Sequence, residues 1–170
     1  MSGDTKKIFK NLDDLERKVT KSNKIAQKGE KMGYGDAIKL GRKSNSITST
    51  INKSVKDYEG VTPGDADAKK ILEQMTKIVD LTEQQLNALV ANKPRFDTLK
   101  VGGLVKKNMG KTSEASVALE KTMLERTPAD LKPEAEKLSA RREAAFKKAI
   151  ATFANAEGGE DQADGEDDSD

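Results

Sequence analysis

The chain has no cysteine, no histidine and no tryptophan, and only four phenylalanines and two tyrosines in 170 residues. Without Cys or His the usual zinc sites cannot be assembled and no Ser-His-Asp or Cys-His nucleophile system can form. No disulfide can report an oxidising compartment. Carboxylate-only or lysine-based catalysis is left as the formal enzymatic option. Long apolar runs are missing too. No stretch approaches the roughly 18 to 20 apolar residues needed to span a bilayer, and residues 1–10 lack the hydrophobic region of a secretory signal. The chain as written is therefore expected to stay in water, although a mature exported chain given an added Met would look the same. With 4% aromatic and 35% charged residues, the core must be aliphatic and the surface heavily charged. That balance suits a helical bundle better than a sheet.

The formal charge of +2 hides an uneven distribution. Residues 157–170 hold eight acids and no base, which leaves residues 1–156 with 31 bases against 21 acids. Residues 1–56 alone carry 14 bases and 6 acids. The tail can fold loosely onto the basic body or repel anionic partners from it, both salt-dependent effects. Its Gly, Asp and Glu composition predicts disorder beyond residue 156.

Apolar spacing predicts the rest. Ile8, Leu12, Leu15 and Val19 mark a first, strongly basic helix over about 4–27. QKGEKMGYGD (27–36) reads as a glycine-loosened joint, and Asp36 can cap the helix after it. Leu40, Ser44, Ile47, Ile51, Val55 and Tyr58 stripe a second helix ending at Gly60, whose many small hydroxyl residues make it depend on packing. Leu72, Met75, Val79, Leu86 and Leu89 define a long central helix from Asp65, which is placed to cap it, with Pro94 predicting a stop or kink before Phe96 and Leu99. Val105, Met109, Thr112, Ser116, Leu119 and Met123 share a face of a third long helix over 104–126. Thr127-Pro128 then predicts the entry to a last helix burying Leu131, Ala135, Leu138, Phe146, Ile150 and Phe153. The fold class expected is all-α: a single antiparallel bundle of four to five long helices over 1–156, comprising a basic N-terminal helix and joint over 1–35 and the body beyond it, with a disordered acidic tail over 157–170.

The Ser/Thr-rich segment ITSTINKSVKDYEG (47–60), the helix ending LNALVANKPRF (86–96), the Gly102-Gly103 corner and the helix entry at Thr127-Pro128 carry a resemblance. Over roughly residues 44–154 the chain resembles the fungal hydrophobic surface binding protein A family, which includes the antigenic cell-wall mannoproteins of the Mp1p type. The resemblance implies an all-α bundle without enzymatic activity or cofactor. It also implies binding of hydrophobic surfaces or fatty-acid-like ligands between helices, in proteins usually exported to the cell wall. The basic N-terminal extension, Pro94, the acidic tail and the missing signal sequence depart from that pattern. Without a signal the expected location is cytoplasmic, and as a mature chain of the family it is extracellular or in the cell wall.

Two readings of the stripes stand side by side. Either they pack the bundle and nothing more, or they enclose an apolar cavity lined by Ile47, Ile51, Met75, Val79, Leu86, Leu89, Phe96, Val105, Met109, Leu119, Met123, Phe146 and Ile150. In that cavity Thr112 and Ser116 are the candidates to bond a ligand carboxylate, unless their hydroxyls bond back to their own helix. The expected partner is a fatty acid or other apolar ligand. The basic first helix offers an alternative, a scaffold that binds a partner protein or an anionic membrane surface. Nucleic acid is the weakest of the partners, because no binding motif is present, Tyr34 and Tyr58 form no stacking platform and the tail opposes it. Asp13-Asp14, Asp65/Asp67 and Glu134/Glu136 sit too close in sequence to converge from one helix, so no metal site is expected from them. The DGEDD of the tail lacks calcium-loop spacing. Asn52-Lys53-Ser54 fits a glycosylation triplet that matters only on export.

Overall fold

The computed structural model describes residues 3–167, and all the regular structure among them is helical. In chain order the α-helices are α1 (Gly3–Ala26), α2 (Tyr34–Asp57), α3 (Asp65–Ala91), the short α4 (Lys93–Thr98), α5 (Gly102–Glu125) and α6 (Lys132–Thr152). The five long helices close a ring. α1 packs against α2 and α3, α2 against α5, α3 against α6, and α5 meets α6 on the far side. No described helix is long and apolar enough to cross a membrane.

Two apolar clusters fill the ends of the ring. One gathers Ile8 and Leu12 of α1, Tyr58 after α2, Leu72 of α3, Met123 of α5 and Leu138 of α6. The other gathers Ile25, Leu40, Leu89, Leu104, Phe146 and Phe153. The first takes the early halves of α1, α3 and α6 and the late halves of α2 and α5. Three helices therefore run one way and two the other, and successive long helices alternate in direction as short connections require.

The basic N-terminal helix is one full wall of this ring. Its apolar stripe Ile8, Leu12, Leu15 and Val19 is buried in the first cluster. α2 reaches it through small residues: Lys18 Nζ donates to Thr50 Oγ1 at 2.7 Å, and the buried Thr50 and Ser54 hydroxyls donate to Ser46 O and Thr50 O one turn back. Hydroxyls that bond within their own helix remove the cost of burying them and let the backbones approach. In the joint before α2, Asp36 accepts from the Gly33 amide at 3.1 Å and from Lys28 at 2.8 Å. The Lys28 bond first, then the Gly33 amide, holds its carboxyl below the usual carboxylate range.

Local starts and stops differ in part from the sequence signals. Gly64, not Asp65, occupies the N-cap of α3, and no side chain caps that end. Asp65 and Asp67 sit in the first turn, where acids favour the helix dipole. Pro94 does stop the central helix: α3 ends at Ala91, and Pro94 sits in the first turn of α4, where its missing amide is not needed. The break carries Phe96 into the second cluster, edge-on to Phe153 with ring centroids 5.9 Å apart. Thr127 and Pro128 do not open the last helix. Thr127 Oγ1 donates back to Met123 O at 2.6 Å, a 3-10 turn covers Ala129–Leu131, and α6 starts at Lys132 with Pro133 in its first turn.

Part of the acidic tail, expected to be disordered beyond 156, has a described course. Residues 157–167 lie against the body, and residues 168–170 fall outside the described residues. Composition argued for disorder because it weighed only charge and glycine. The segment is held instead by two buried alanines, Ala156 and Ala163, and by backbone bonds. Gly158 O accepts from the Leu104 amide at 2.9 Å, which caps the start of α5, and Asn45 donates to the carbonyls of Ala163 and Gly165, the latter at 2.8 Å. Lys43, itself buried, pairs with Asp167 at 3.7 Å. The approach demands glycine twice. Gly158 has φ +102° with Lys100 O against it, and a Cβ on Gly103 would come within 2.9 Å of the Gly158 amide nitrogen and still closer to the Glu160 carboxylate.

Gly103→Ala should therefore destabilise the full chain by about 1 to 3 kcal/mol. In a chain ending at residue 156 the same change should be neutral or mildly stabilising, because the first turn of a helix prefers Ala. Equal melting-point losses in both chains would show that the tail is not what Gly103 accommodates. Asp36→Ala should cost about 1 kcal/mol at neutral pH, as loss of a capping contact does. Because its folded-state carboxyl lies below the ordinary value of 3.8, the stabilisation is present above that pH and fades as pH falls through the folded value. Chemical denaturation at neutral and at acid pH should show the wild-type advantage shrinking.

Candidate functional site

Where the first cluster meets the second, the ring leaves space. Leu15 and Val19 of α1, Ile47 and Ile51 of α2, Met75, Ile78, Val79 and Thr82 of α3, Thr112, Ser116, Leu119 and Glu120 of α5, and Arg142 and Phe146 of α6 surround it. About 450 Å³ there is free of protein atoms, part of it open to solvent. A second space of about 390 Å³ continues toward Leu86, Leu89 and Met109 and shares Val19, Ile47, Thr112 and Phe146 with the first. A third of about 380 Å³ continues toward Met123, Leu138 and Ala135 and shares Met75, Val79 and Glu120. The three succeed one another along the bundle. They are narrow, with room between side chains for only a few water-sized spheres. A larger occupant must displace side chains, and Met75, Met109 and Met123 are the unbranched ones that move most readily.

The candidates named from sequence sort clearly. Ile47, Ile51, Met75, Val79, Leu119, Phe146, Thr112 and Ser116 meet around the first space. Leu86, Leu89 and Met109 stand around the second, and Met123 around the third. Phe96, Val105 and Ile150 line none of the three. Phe96 is fully enclosed against Phe153, Val105 is packed in the second cluster, and Ile150 lies half-buried on its flank.

The interior hydroxyls are already engaged. Thr112 Oγ1 donates to Asn108 O at 3.0 Å and meets Thr48 Oγ1 at 2.9 Å, Ser116 donates to Thr112 O at 2.8 Å, and Thr82 donates to Ile78 O at 2.8 Å. With their hydrogens turned back on the helix, they present lone pairs to the space rather than donors.

Sequence reasoning missed the charged pair beside them. Arg142 and Glu120 face each other across α5 and α6, with the Glu120 carboxylate accepting from Nε and, at 2.7 Å, from Nη2. The guanidinium also lies 5.4 Å from the centre of the Phe146 ring. Its neighbour Arg141 turns outward and binds Asp80 at 2.6 Å and Glu83, tying α6 to α3. A signal for Arg142 was present: it falls four residues after Leu138 and four before Phe146, on the buried stripe of α6. Leu15 and Val19 were missed because the basic first helix was set apart from the cavity. Among the described residues no group of acidic side chains is placed to hold a metal ion.

Comparison with solved structures finds the same fold in AfMp4p in complex with palmitic acid. The TM-score is 0.80 at 20% identity, covering 86% of this chain and 97% of that one. Ligand binding domain 1 of the Penicillium marneffei MP1 protein, complexed with arachidonic acids, matches at a TM-score of 0.80 and 21% identity over 88% of this chain and 98% of that one. Domain 2 of the same protein, also with arachidonic acids, matches at 0.83 and 21% over 92% and 98%. Comparison with curated proteins finds no match. The family model for hydrophobic surface binding protein A matches residues 5–125, from the first turn of α1 to the end of α5. The chain, with its ring of five amphipathic helices, belongs to the hydrophobic surface binding protein A family.

Proposed function

We propose that the chain binds a long-chain fatty acid, or a lipid of similar acyl shape, between its five long helices and performs no chemistry on it. The observation that carries this reading is the central space walled from all five helices by aliphatic and methionine side chains. Each buried methylene is worth about 0.8 kcal/mol, so an acyl chain of a dozen or more carbons brings on the order of 10 kcal/mol. That is set against its immobilisation and the parting of side chains. Membership of a hydrophobic-surface-binding family and the palmitic and arachidonic acids bound by proteins of the same fold support the same occupant.

The other expectation, a basic first helix acting as a docking arm for a partner protein or an anionic membrane, has less support. The inner face of α1 belongs to the core, and its outer face mixes signs, with Arg17 bound to Asp14 at 2.7 Å. Removing α1 opens the ring, so deletion of that helix cannot separate the two readings.

Titration with a fluorescent fatty acid should show saturable binding at micromolar protein, and its absence would count against the proposal. Val79→Phe, which adds bulk where the first and third spaces meet, should keep the helical circular-dichroism spectrum and weaken binding about tenfold or more. Undiminished affinity in that variant would place the ligand elsewhere.

A further inference from the structure

The interior of the bundle holds a cation with one face unused. The Arg142 side chain is 7% exposed, and its Nη1 is buried with no hydrogen-bond partner. A guanidinium carries five N–H donors in a rigid fork, and a buried donor without an acceptor is destabilising unless something supplies one. Glu120 occupies the Nε and Nη2 edge, and the Phe146 ring lies against the guanidinium. The free Nη1 therefore belongs to a side chain that lines the first central space and is already held in place by two neighbours.

We propose that Arg142 Nη1 receives the carboxyl group of the acyl ligand, with Glu120 fixing the guanidinium from the opposite edge; this rests on the acyl-binding reading above. The rest of the first space's wall offers no competing donor, and the further donors of the flanking spaces, Ser44, Gln85 and Ser139, are uncharged. The hydroxyls of Thr82, Thr112 and Ser116 donate to backbone carbonyls of their own helices. The other buried polar atoms without a partner among the described residues, Ser22 Oγ and Asn108 Oδ1, belong to residues that line none of the three spaces, and Asn108 Oδ1 is an acceptor. Charge-assisted bonds from Arg to a carboxylate are the strong ones.

The geometry also sets a limit. Arg142 and Glu120 together are neutral, so a bound carboxylate places a second negative charge near Glu120. Replacing Glu120 by Gln keeps an acceptor on the Nε edge and removes that repulsion. The head group is thereby located at mid-height in the bundle, with the acyl chain extending along a flanking apolar space.

Dodecanoic acid and dodecanol share a chain and differ at the head group, so their competition against a fluorescent fatty acid isolates the contribution of Arg142. The comparison uses the full-length wild type, E120Q and E120Q/R142M, each checked for folding by thermal unfolding. The acid-over-alcohol affinity ratio should rise in E120Q. It should fall by about tenfold or more from E120Q to E120Q/R142M, with dodecanol affinity little changed, as expected for loss of a charged hydrogen bond. An unchanged ratio in E120Q/R142M, with both probes still bound, overturns the Arg142 assignment alone. Failure of the wild type to bind either probe overturns the acyl-binding reading and the assignment with it.

Discussion

Closing five helices into a ring is the constraint on which the rest of this structure depends. Neighbouring helix axes pack 8 to 10 Å apart, and five axes at that spacing lie roughly 8 Å from the centre of the ring. Side chains must therefore reach inward well beyond the distance at which two helices share a contact. A wide apolar stripe on each helix is the necessary response, and α1, α2, α3, α5 and α6 all have one. A chain with so few aromatic residues fills such a centre incompletely. Phe96 and Phe153 pack against each other in the second cluster, and Phe146 alone of the phenylalanines reaches the central space, which is otherwise walled mainly by Leu, Met, Val, Ile and hydroxyl side chains.

Much of this was legible because periodicity survives heavy surface charge. The stripes through Ile8 to Val19, Leu72 to Leu89 and Val105 to Met123 predict the helices that form. Twelve of the candidate residues, Thr112 and Ser116 included, come together around the central spaces. Adjacency was the missing information. A stripe tells which face is buried but not which neighbour buries it, so the basic first helix read as an appendage and Leu15 and Val19 were left out of the cavity. Phe96 lies outside the three spaces because the break at Asn92 and Pro94, signalled in the sequence by Pro94, turns it into the second cluster against Phe153.

The charged pair inside the bundle was hidden because only apolar and hydroxyl positions were read into the stripes. Arg142 and Glu120 each stand on an otherwise apolar face and are paired only because α5 and α6 meet. The tail was read from composition alone. Its eight acids outweighed, as composition, two alanines and a few carbonyl groups that find partners at the start of α5 and along α2. Gly103 makes sense only with that strap in place.

The separation of the core into two clusters has a mechanical consequence. Each cluster binds the five helices like a hoop around the staves of a cask, and the Thr112 and Ser116 hydroxyls and the Arg142–Glu120 pair lie where the two hoops meet. Staves held at both ends can bow outward at the waist without either hoop opening. Swelling to admit a guest thus draws on the bending of long helices, which is soft, while the outermost contacts, Ile8 and Leu12 at one end and Phe96 against Phe153 at the other, stay closed.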